Sequence, residues 1–252
     1  NSYTGQDLKI FKSNPEDRYS LPDNEILHLT QDSLNNIWIS TREGMVTYDE
    51  KHGNFTLVNR DIIYSSLCIT DGILFGSENR IYKYDYKKRS FKSINIKKQE
   101  DKGSDVTKYR VQKIIAFSER EALVATRRDG VYVLDYQTMR LKRLFSGSNN
   151  ILQGAYLSSN GYIYLSFWGQ GLFCYEKTGK FIKRYTKENS DLTNNYVLDI
   201  VEKEGFLWLA TDGGGINRLE LSNENFSNLY HIAGDKNSLP VNSVTILYKD
   251  EN

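Results

Sequence analysis

The sequence is poor in the residues that break or staple a chain. Its 252 residues include only 3 Pro, 2 Cys, 2 Met and 3 His. Cys68 and Cys174 have no CxxC or Cys/His pattern around them, so disulfides do not hold this fold and no zinc site is encoded. Both are expected to be buried, inert thiols. Neither sign of charge is in excess: 33 Lys and Arg face 32 Asp and Glu, for a net charge of +1. The densest basic stretch, Lys87-Lys88-Arg89, is short. Nothing in this balance favours nucleic acid or a membrane surface. No stretch approaches 18 apolar residues, so no helix in the sequence is expected to span a membrane. The sequence opens at Asn1 without Met or a signal peptide and is expected to be a processed or cut chain. It contains no GxSxG, no HExxH and no EF-hand loop. Gly213-Gly214-Gly215 lacks the Lys-Ser/Thr and the strand–turn–helix setting of a phosphate loop. No cofactor, metal or catalytic residue is expected.

Aromatic residues are plentiful, with 18 Tyr and 11 Phe, alongside 18 Gly. That composition suits pleated, half-buried strands. It is organised as a repeat. One copy reads Ile26-Leu27-His28-Leu29-Thr30-Gln31-Asp32, then Ile37-Trp38-Ile39-Ser40-Thr41, then Gly44-Met45-Val46-Thr47-Tyr48-Asp49, then Phe55. Another reads Val197 to Glu202, Leu207-Trp208-Leu209-Ala210-Thr211, Gly215 to Glu220, then Phe226. Three weaker copies lie between, in which Phe75, Val124 and Tyr164 are read as replacing Trp. The third segments start at Gly44, Arg80, Gly130, Gly171 and Gly215, spaced by 36, 50, 41 and 44 residues. Four short strands in about 40–45 residues is the period of a propeller blade.

The sequence therefore predicts an all-β chain, a β-propeller of four-stranded blades. Strand a is the apolar run, expected innermost and buried on both faces. Strand b carries Trp38 and its equivalents. Strand c opens at the Gly, and strand d carries the Phe and alternates with charge, as an exposed edge should. Gly supplies the positive φ of the b–c turn; at Arg80, where Gly is missing, Asn79 is expected to take that conformation. The expected boundaries are a partial blade over 1–24 and blades over about 25–59, 65–95, 111–146, 151–187 and 196–232. A further blade is expected to start over 243–252, its strand a running from Ser243 to Asp250. Five blades are fewer than a ring of this blade size holds, so the natural protein is expected to continue past Asn252.

The residues Asp32, Trp38-Ile39-Ser40-Thr41, Gly44 and Tyr48-Asp49 resemble the two-component regulator propeller repeat. Trp208-Leu209-Ala210-Thr211 with Gly213-Gly214-Gly215, and the spacer Asn237-Ser238-Leu239-Pro240-Val241-Asn242, carry the resemblance again. It implies the periplasmic sensor region of a hybrid two-component system of the Bacteroides type. There, tandem seven-bladed propellers precede an immunoglobulin-like domain, a membrane helix and a histidine kinase. The implied partners are an oligosaccharide ligand, a second propeller and downstream domains of the same chain, and a second copy in a full-length homodimer. This region itself is expected to contact neither membrane nor nucleic acid.

In a propeller the b–c and d–a loops crowd one concave face, the usual ligand site. Its b–c loops here offer Arg42-Glu43, Glu78-Asn79, Arg127-Arg128-Asp129, Trp168-Gly169-Gln170 and Asp212-Gly213-Gly214. The d–a loops offer 61–64, Lys108-Tyr109-Arg110, Asn149-Asn150 and Asn194-Asn195-Tyr196. A sugar ring needs an aromatic surface for its C–H face and planar polar groups for its hydroxyls; Arg would suit a carboxylate or sulfate. The candidate ligand residues are Trp168, Arg127, Arg128, Tyr64, Tyr196, Arg42 and Asp212. Each has a plainer role open to it: packing for Trp168, surface charge for Arg127 and Arg128. Two other readings stay open, a glycan-active hydrolase or lyase and a passive interaction scaffold. Glu43, Glu78, Asp129 and Asp212 could serve a hydrolase. His28, His52 and His231 all fall away from the expected ligand face, which speaks against a His-base lyase.

Overall fold

The computed structural model describes residues 2–3, 8–96, 106–147 and 150–249. Asn149 of the third d–a loop, residues 250–252 of the expected next blade, and residues 1 and 4–7 of the opening segment lie outside them. The chain forms two compact units, Asn1–Ile114 and Ile115–Asn252.

The first unit opens with a short hairpin, β1 (Ser2–Tyr3) against β2 (Leu8–Lys9). The first blade follows as β3 (Ile26–Gln31), β4 (Ile37–Thr41), β5 (Gly44–Asp49) and β6 (Asn54–Asn59). The second is β7 (Ser65–Ile69), β8 (Gly72–Gly76), β9 (Arg80–Asp85) and β10 (Ser90–Asn95). A single 3₁₀ turn, Val106–Tyr109, leads into β11 (Val111–Ala116), within which the division falls. The third blade continues with β12 (Glu121–Thr126), β13 (Gly130–Asp135) and β14 (Arg140–Ser146). The second unit then holds the fourth blade, β15 (Leu152–Leu157), β16 (Tyr162–Phe167), β17 (Gly171–Glu176) and β18 (Phe181–Tyr185). Its fifth is β19 (Val197–Lys203), β20 (Phe206–Thr211), β21 (Gly215–Glu220) and β22 (Phe226–Leu229). All five sheets have four strands in sequence order, joined antiparallel.

The strand most buried is b, not a. β8 is buried at every position and β12 and β16 at all but the first, whereas the a strands β11, β15 and β19 are buried at two of six, three of six and four of seven positions. The reason is the strand order. Strands a and d are the edges of each ladder, while b is flanked on both sides and covered on both faces. Strand d alternates in β22 but not in β18, where Phe181 itself is half exposed.

Register corrects the repeat alignment in the weak copies. Counted from the start of strand c, the residue opposite Thr47 is Trp38, and the matching pairs are Lys83–Leu74 and Val133–Leu123. Leu74 and Leu123, both fully buried, thus stand where Trp38 does; Phe75 and Val124 are one residue further on. Tyr164, opposite Cys174, holds the position as read from sequence.

The glycine that opens strand c is required by close approach as well as by its φ. At Gly44 (φ 127°) a Cβ would lie 2.4 Å from the Asn59 carbonyl oxygen, and at Gly215 (φ 74°) 2.2 Å from that of Leu229. The second blade dispenses with both requirements. Neither Asn79 nor Arg80 takes a positive φ, and the turn is closed by the Ser77 N–H donating to the Arg80 carbonyl at 2.9 Å.

Buried Asp32 anchors the a–b corner of the first blade. Its Oδ1 accepts from the N–H groups of Leu34 and Asn36, both at 2.9 Å. Its Oδ2 accepts from Asn36 Nδ2 at 2.9 Å and Trp38 Nε1 at 2.8 Å. The Trp38 ring then packs 5.1 Å from Phe75 and 5.2 Å from Tyr84 of the second blade. Cys174 is buried, but Cys68 is exposed on edge strand β7, contrary to expectation. Residues 243–249 form no strand. The start of this segment is nevertheless docked like one: Val244 N–H donates to Thr211 O, as Val111 N–H does to Ser77 O.

Replacing Trp38 with Ala removes a ring that is 4% exposed and should cost about 3–5 kcal/mol in chemical denaturation. Trp38→Phe should cost less, yet leave the Asp32 carboxylate short of one donor.

Candidate functional site

Each unit has its own b–c and d–a loops. In the first unit, exposed Arg42 pairs with Glu25, which pushes the guanidinium pKa up. Tyr64 is half-buried, its N–H donating to Gly76 O at 2.9 Å. Burial, and then the nearby Glu78 carboxylate, push its hydroxyl pKa up. The Arg110 guanidinium lies 4.2 Å over the Tyr64 ring and its Nε is 3.1 Å from Glu78 Oε2. The two candidates here, Arg42 and Tyr64, therefore sit in a self-neutralised row.

In the second unit Trp168 and Tyr196 come together. Their rings are 5.0 Å apart at 76°, edge to face, and remain 47% and 39% exposed. The local backbone explains the pairing. Trp168 N–H donates to Ile151 O at 2.8 Å, fixing the b–c loop of the fourth blade on the preceding connection. Gly169 (φ 66°) lets that loop lie against the Tyr196 ring. Tyr196 is held by the next loops: its N–H donates to Asn194 Oδ1 at 2.9 Å and its carbonyl accepts from Asp212 N–H at 3.0 Å. Asn194 Nδ2 donates to Asp212 O at 2.7 Å, and Ser243 Oγ donates to Asp212 Oδ1 at 2.6 Å. The result is an exposed aromatic shelf edged by an amide and a carboxylate.

Arg127 and Arg128 are half-buried. The Arg127 carbonyl accepts from Leu152 N–H at 2.9 Å, next to the Ile151 that holds Trp168. Arg128 lines a cavity of about 150 Å³ with Asn150, Phe145 and Phe173. The structure thus groups Trp168, Tyr196 and Asp212 tightly, and ties the Arg127 backbone to the connection that holds Trp168. Sequence reasoning offered Asn194 and Gln170 only as loop residues, and passed over Ser243 and Arg184. Arg184 is on strand d, yet its Nε donates to Gln170 O at 2.6 Å, and no motif signals that reach.

The carboxylates considered for hydrolysis have their own partners, apart from exposed Glu43. Glu78 holds Arg110, Asp129 holds Arg143 at 2.7 Å and accepts from Tyr132, and Asp212 holds Ser243. His52 pairs with Asp49 at 2.6 Å, and His231 Nδ1 lies 2.8 Å from Leu239 O. His28 Nε2 is 2.9 Å from Ser66 Oγ, and burial together with Lys113 lowers its pKa to about 4. Among the described residues no cluster of three or more His, Cys, Asp or Glu is placed to hold a metal, and no helix is long and apolar enough to cross a membrane.

These features define a β-propeller of four-stranded blades. The model of the two component regulator propeller family matches residues 20–43, which include Asp32 and Trp38–Thr41, so the first blade carries that repeat. Sequence comparison with curated proteins returns no match. The fold is similar to an extracellular domain from B. thetaiotaomicron described as part of a one component system. The identity is 15% and the TM-score 0.60, over 96% of this chain and 37% of that one. A computationally designed protein, Ika8, matches at 12% identity and TM-score 0.59, over 86% of this chain and 64% of its own. Inactive virginiamycin B lyase from Staphylococcus aureus, solved with quinupristin, matches at 14% and 0.63, over 83% and 71%. Likeness at these identities shows the fold alone. The chain spans 37% of the length of the B. thetaiotaomicron domain.

Two outcomes follow. Trp168→Phe should remove the most acrylamide-quenchable part of the fluorescence of the 3 Trp, and Trp168→Ala should cost less than about 1 kcal/mol, as exposed sites do. The folded His28 pKa lies below its ordinary value of 6.5, so its stabilising effect is fully present above pH 6.5 and is lost as pH falls towards about 4. His28→Gln should flatten that part of a stability-versus-pH curve.

Proposed function

We propose that this chain is a non-catalytic, ligand-sensing propeller of a two-component sensor, and that its ligand is an oligosaccharide from glycan breakdown. The observation that carries the reading is the Trp168–Tyr196 shelf. Two large rings left this exposed on rigidly bonded loops are not spent on core packing. Asp212 and Asn194 at the edge offer the planar polar groups that sugar hydroxyls need, and Arg127 is the candidate for meeting an acidic substituent. Arg128 is a further candidate contact in the same unit, while Arg42 and Tyr64 are a separate candidate in the first unit.

The repeat in the first blade supports placing the chain in a periplasmic ectodomain. It would sit there beside a second propeller and the domains that lead to a histidine kinase, in a homodimer. Sensing requires that the ligand bind two arrangements of that assembly with different affinity. The blades over 25–59, 65–95, 111–146, 151–187 and 196–232 are then the scaffold, and the loops are the reader.

The test is thermal shift against defined neutral and acidic oligosaccharides. At 100 times its dissociation constant a ligand stabilises by about 2.7 kcal/mol, a rise of a few degrees. The rise should vanish in Trp168→Ala, and the oligosaccharide should be recovered unchanged. Consumption of the sugar would establish an enzyme instead, and no shift across the panel would remove glycan sensing.

A further inference from the structure

The cavity of about 150 Å³ beside Arg128 lies between the third and fourth blades, within the second unit. Register shows what fills the matching space between the fourth and fifth. Val131 pairs with Phe145 as Leu172 pairs with Tyr185, and Leu152 pairs with Phe167 as Val197 pairs with Thr211. Tyr175 stands four residues after the glycine that opens its strand c, as Leu219 does. Val131, Phe145, Leu152 and Tyr175 line the cavity. Their counterparts Leu172, Tyr185, Val197 and Leu219 share one apolar cluster with Leu192, which is 2% exposed.

The connections between blades explain the difference. Eleven residues, 186–196, join β18 to β19. They lay Leu192 into the core and tie Thr193 to the buried Asn217: Thr193 N–H donates to Asn217 Oδ1 at 2.8 Å, and Asn217 Nδ2 donates to Thr193 Oγ1 at 2.8 Å. Only five residues, 147–151, join β14 to β15. The counterpart of Asn217, two residues past the glycine of strand c, is Phe173, which also lines the cavity. The space that the longer connection fills from within is open at the shorter one.

The lining suits a flat ring that carries one negative charge. The Phe145 and Tyr175 rings are stacked 4.6 Å apart at 11°, and Phe173 lies nearly parallel to Tyr175, at 12°. Phe167 meets Phe173 edge to face at 5.1 Å. Such walls favour a further aromatic ring, and an apolar cavity of about 150 Å³ has room for one benzene. The loop end is polar and firmly bonded. Thr126 Oγ1 donates to Gly130 O at 2.7 Å and Gly147 N–H donates to Asp129 O at 2.8 Å, which fixes the turn that carries Arg128. Arg128, Asn150 and exposed Ser146 line this end, and no Asp or Glu is among the described lining residues. A guanidinium has five N–H donors and can hold a carboxylate while keeping another contact. Beside the filled space the counterpart of Arg128, two residues before the glycine of strand c, is Gly169.

We propose that this cavity binds one single-ring aromatic carboxylate, its ring seated among Phe145, Phe173 and Tyr175 and its carboxylate on Arg128. Neither Trp168 nor Tyr196 lines the cavity, so the site is distinct from the aromatic shelf and does not rest on the oligosaccharide reading.

Isothermal titration of the chain with benzoate tests this. Benzoate should bind at one site per chain, and acetate, which lacks the ring, should not bind. Benzyl alcohol, which lacks the charge, should bind about tenfold more weakly, and so should benzoate to Arg128→Gln, as loss of a charged hydrogen-bond partner dictates. Ser146→Trp, at an exposed position of the rim, should block the mouth and abolish binding, with circular dichroism reporting that both variants fold. Absence of benzoate binding overturns the proposal, as does benzoate binding that neither variant weakens, because the ligand then sits elsewhere. Benzyl alcohol bound as tightly as benzoate would overturn the part given to the carboxylate. Glucuronate displacing benzoate at equal concentration would overturn the aromatic class in favour of a sugar acid.

Discussion

Two-sided burial of strand b is the constraint on which the rest depends. A four-stranded sheet with apolar residues on both faces cannot stand alone in water; it needs a neighbour on each side. In the first unit that neighbour relation is made by the Trp38 ring lying among Phe75, Tyr84 and Phe91. In the second it is made by Tyr164, Tyr185, Leu172 and Cys174 meeting Leu207 and Leu209. The same geometry is thus filled by different side chains of sufficient bulk. This is why the aromatic signature can fade in the middle copies while the strand order persists.

Much of the fold was legible because its signals are local. The glycine before strand c, the Asp32-to-Trp38 spacing and the strand d that carries Phe can each be read within ten residues. What misled was any inference that needed to know a strand's neighbours. Strand a looked like the most buried strand because it is the most apolar run, but its place at the ladder edge leaves it half open. Phe75 and Val124 looked like the Trp38 equivalents because they are the bulkiest or most β-branched residues nearby, and only pairing with strand c moved the position to Leu74 and Leu123. Cys68 looked like a core thiol for the same reason as strand a.

The candidate site was legible in part. Trp168 could be picked out because the repeat expects a loop residue there, and Tyr196 because it ends a d–a loop. Their meeting at 5.0 Å could not be read, since it joins loops of two blades. Arg42 and Tyr64 were chosen for chemistry alone. Glu25 and Arg110 occupy them through contacts across 17 and 46 positions of sequence, and neither is marked by a motif. Isolated residue types thus announced the aromatic half of the site better than its charged half, because a charge is only as available as its partners allow.

The Asp32 cluster has a consequence for the order of assembly. All five hydrogen bonds of its carboxylate come from residues 34 to 38, so the corner closes a very short loop and costs little chain entropy. The indole is fixed on its own strand before any second blade is present to receive it. This corner is a locally complete cassette whose interior owes nothing to a neighbouring blade. The slow events are left to the faces, where residues far apart in sequence must find one another.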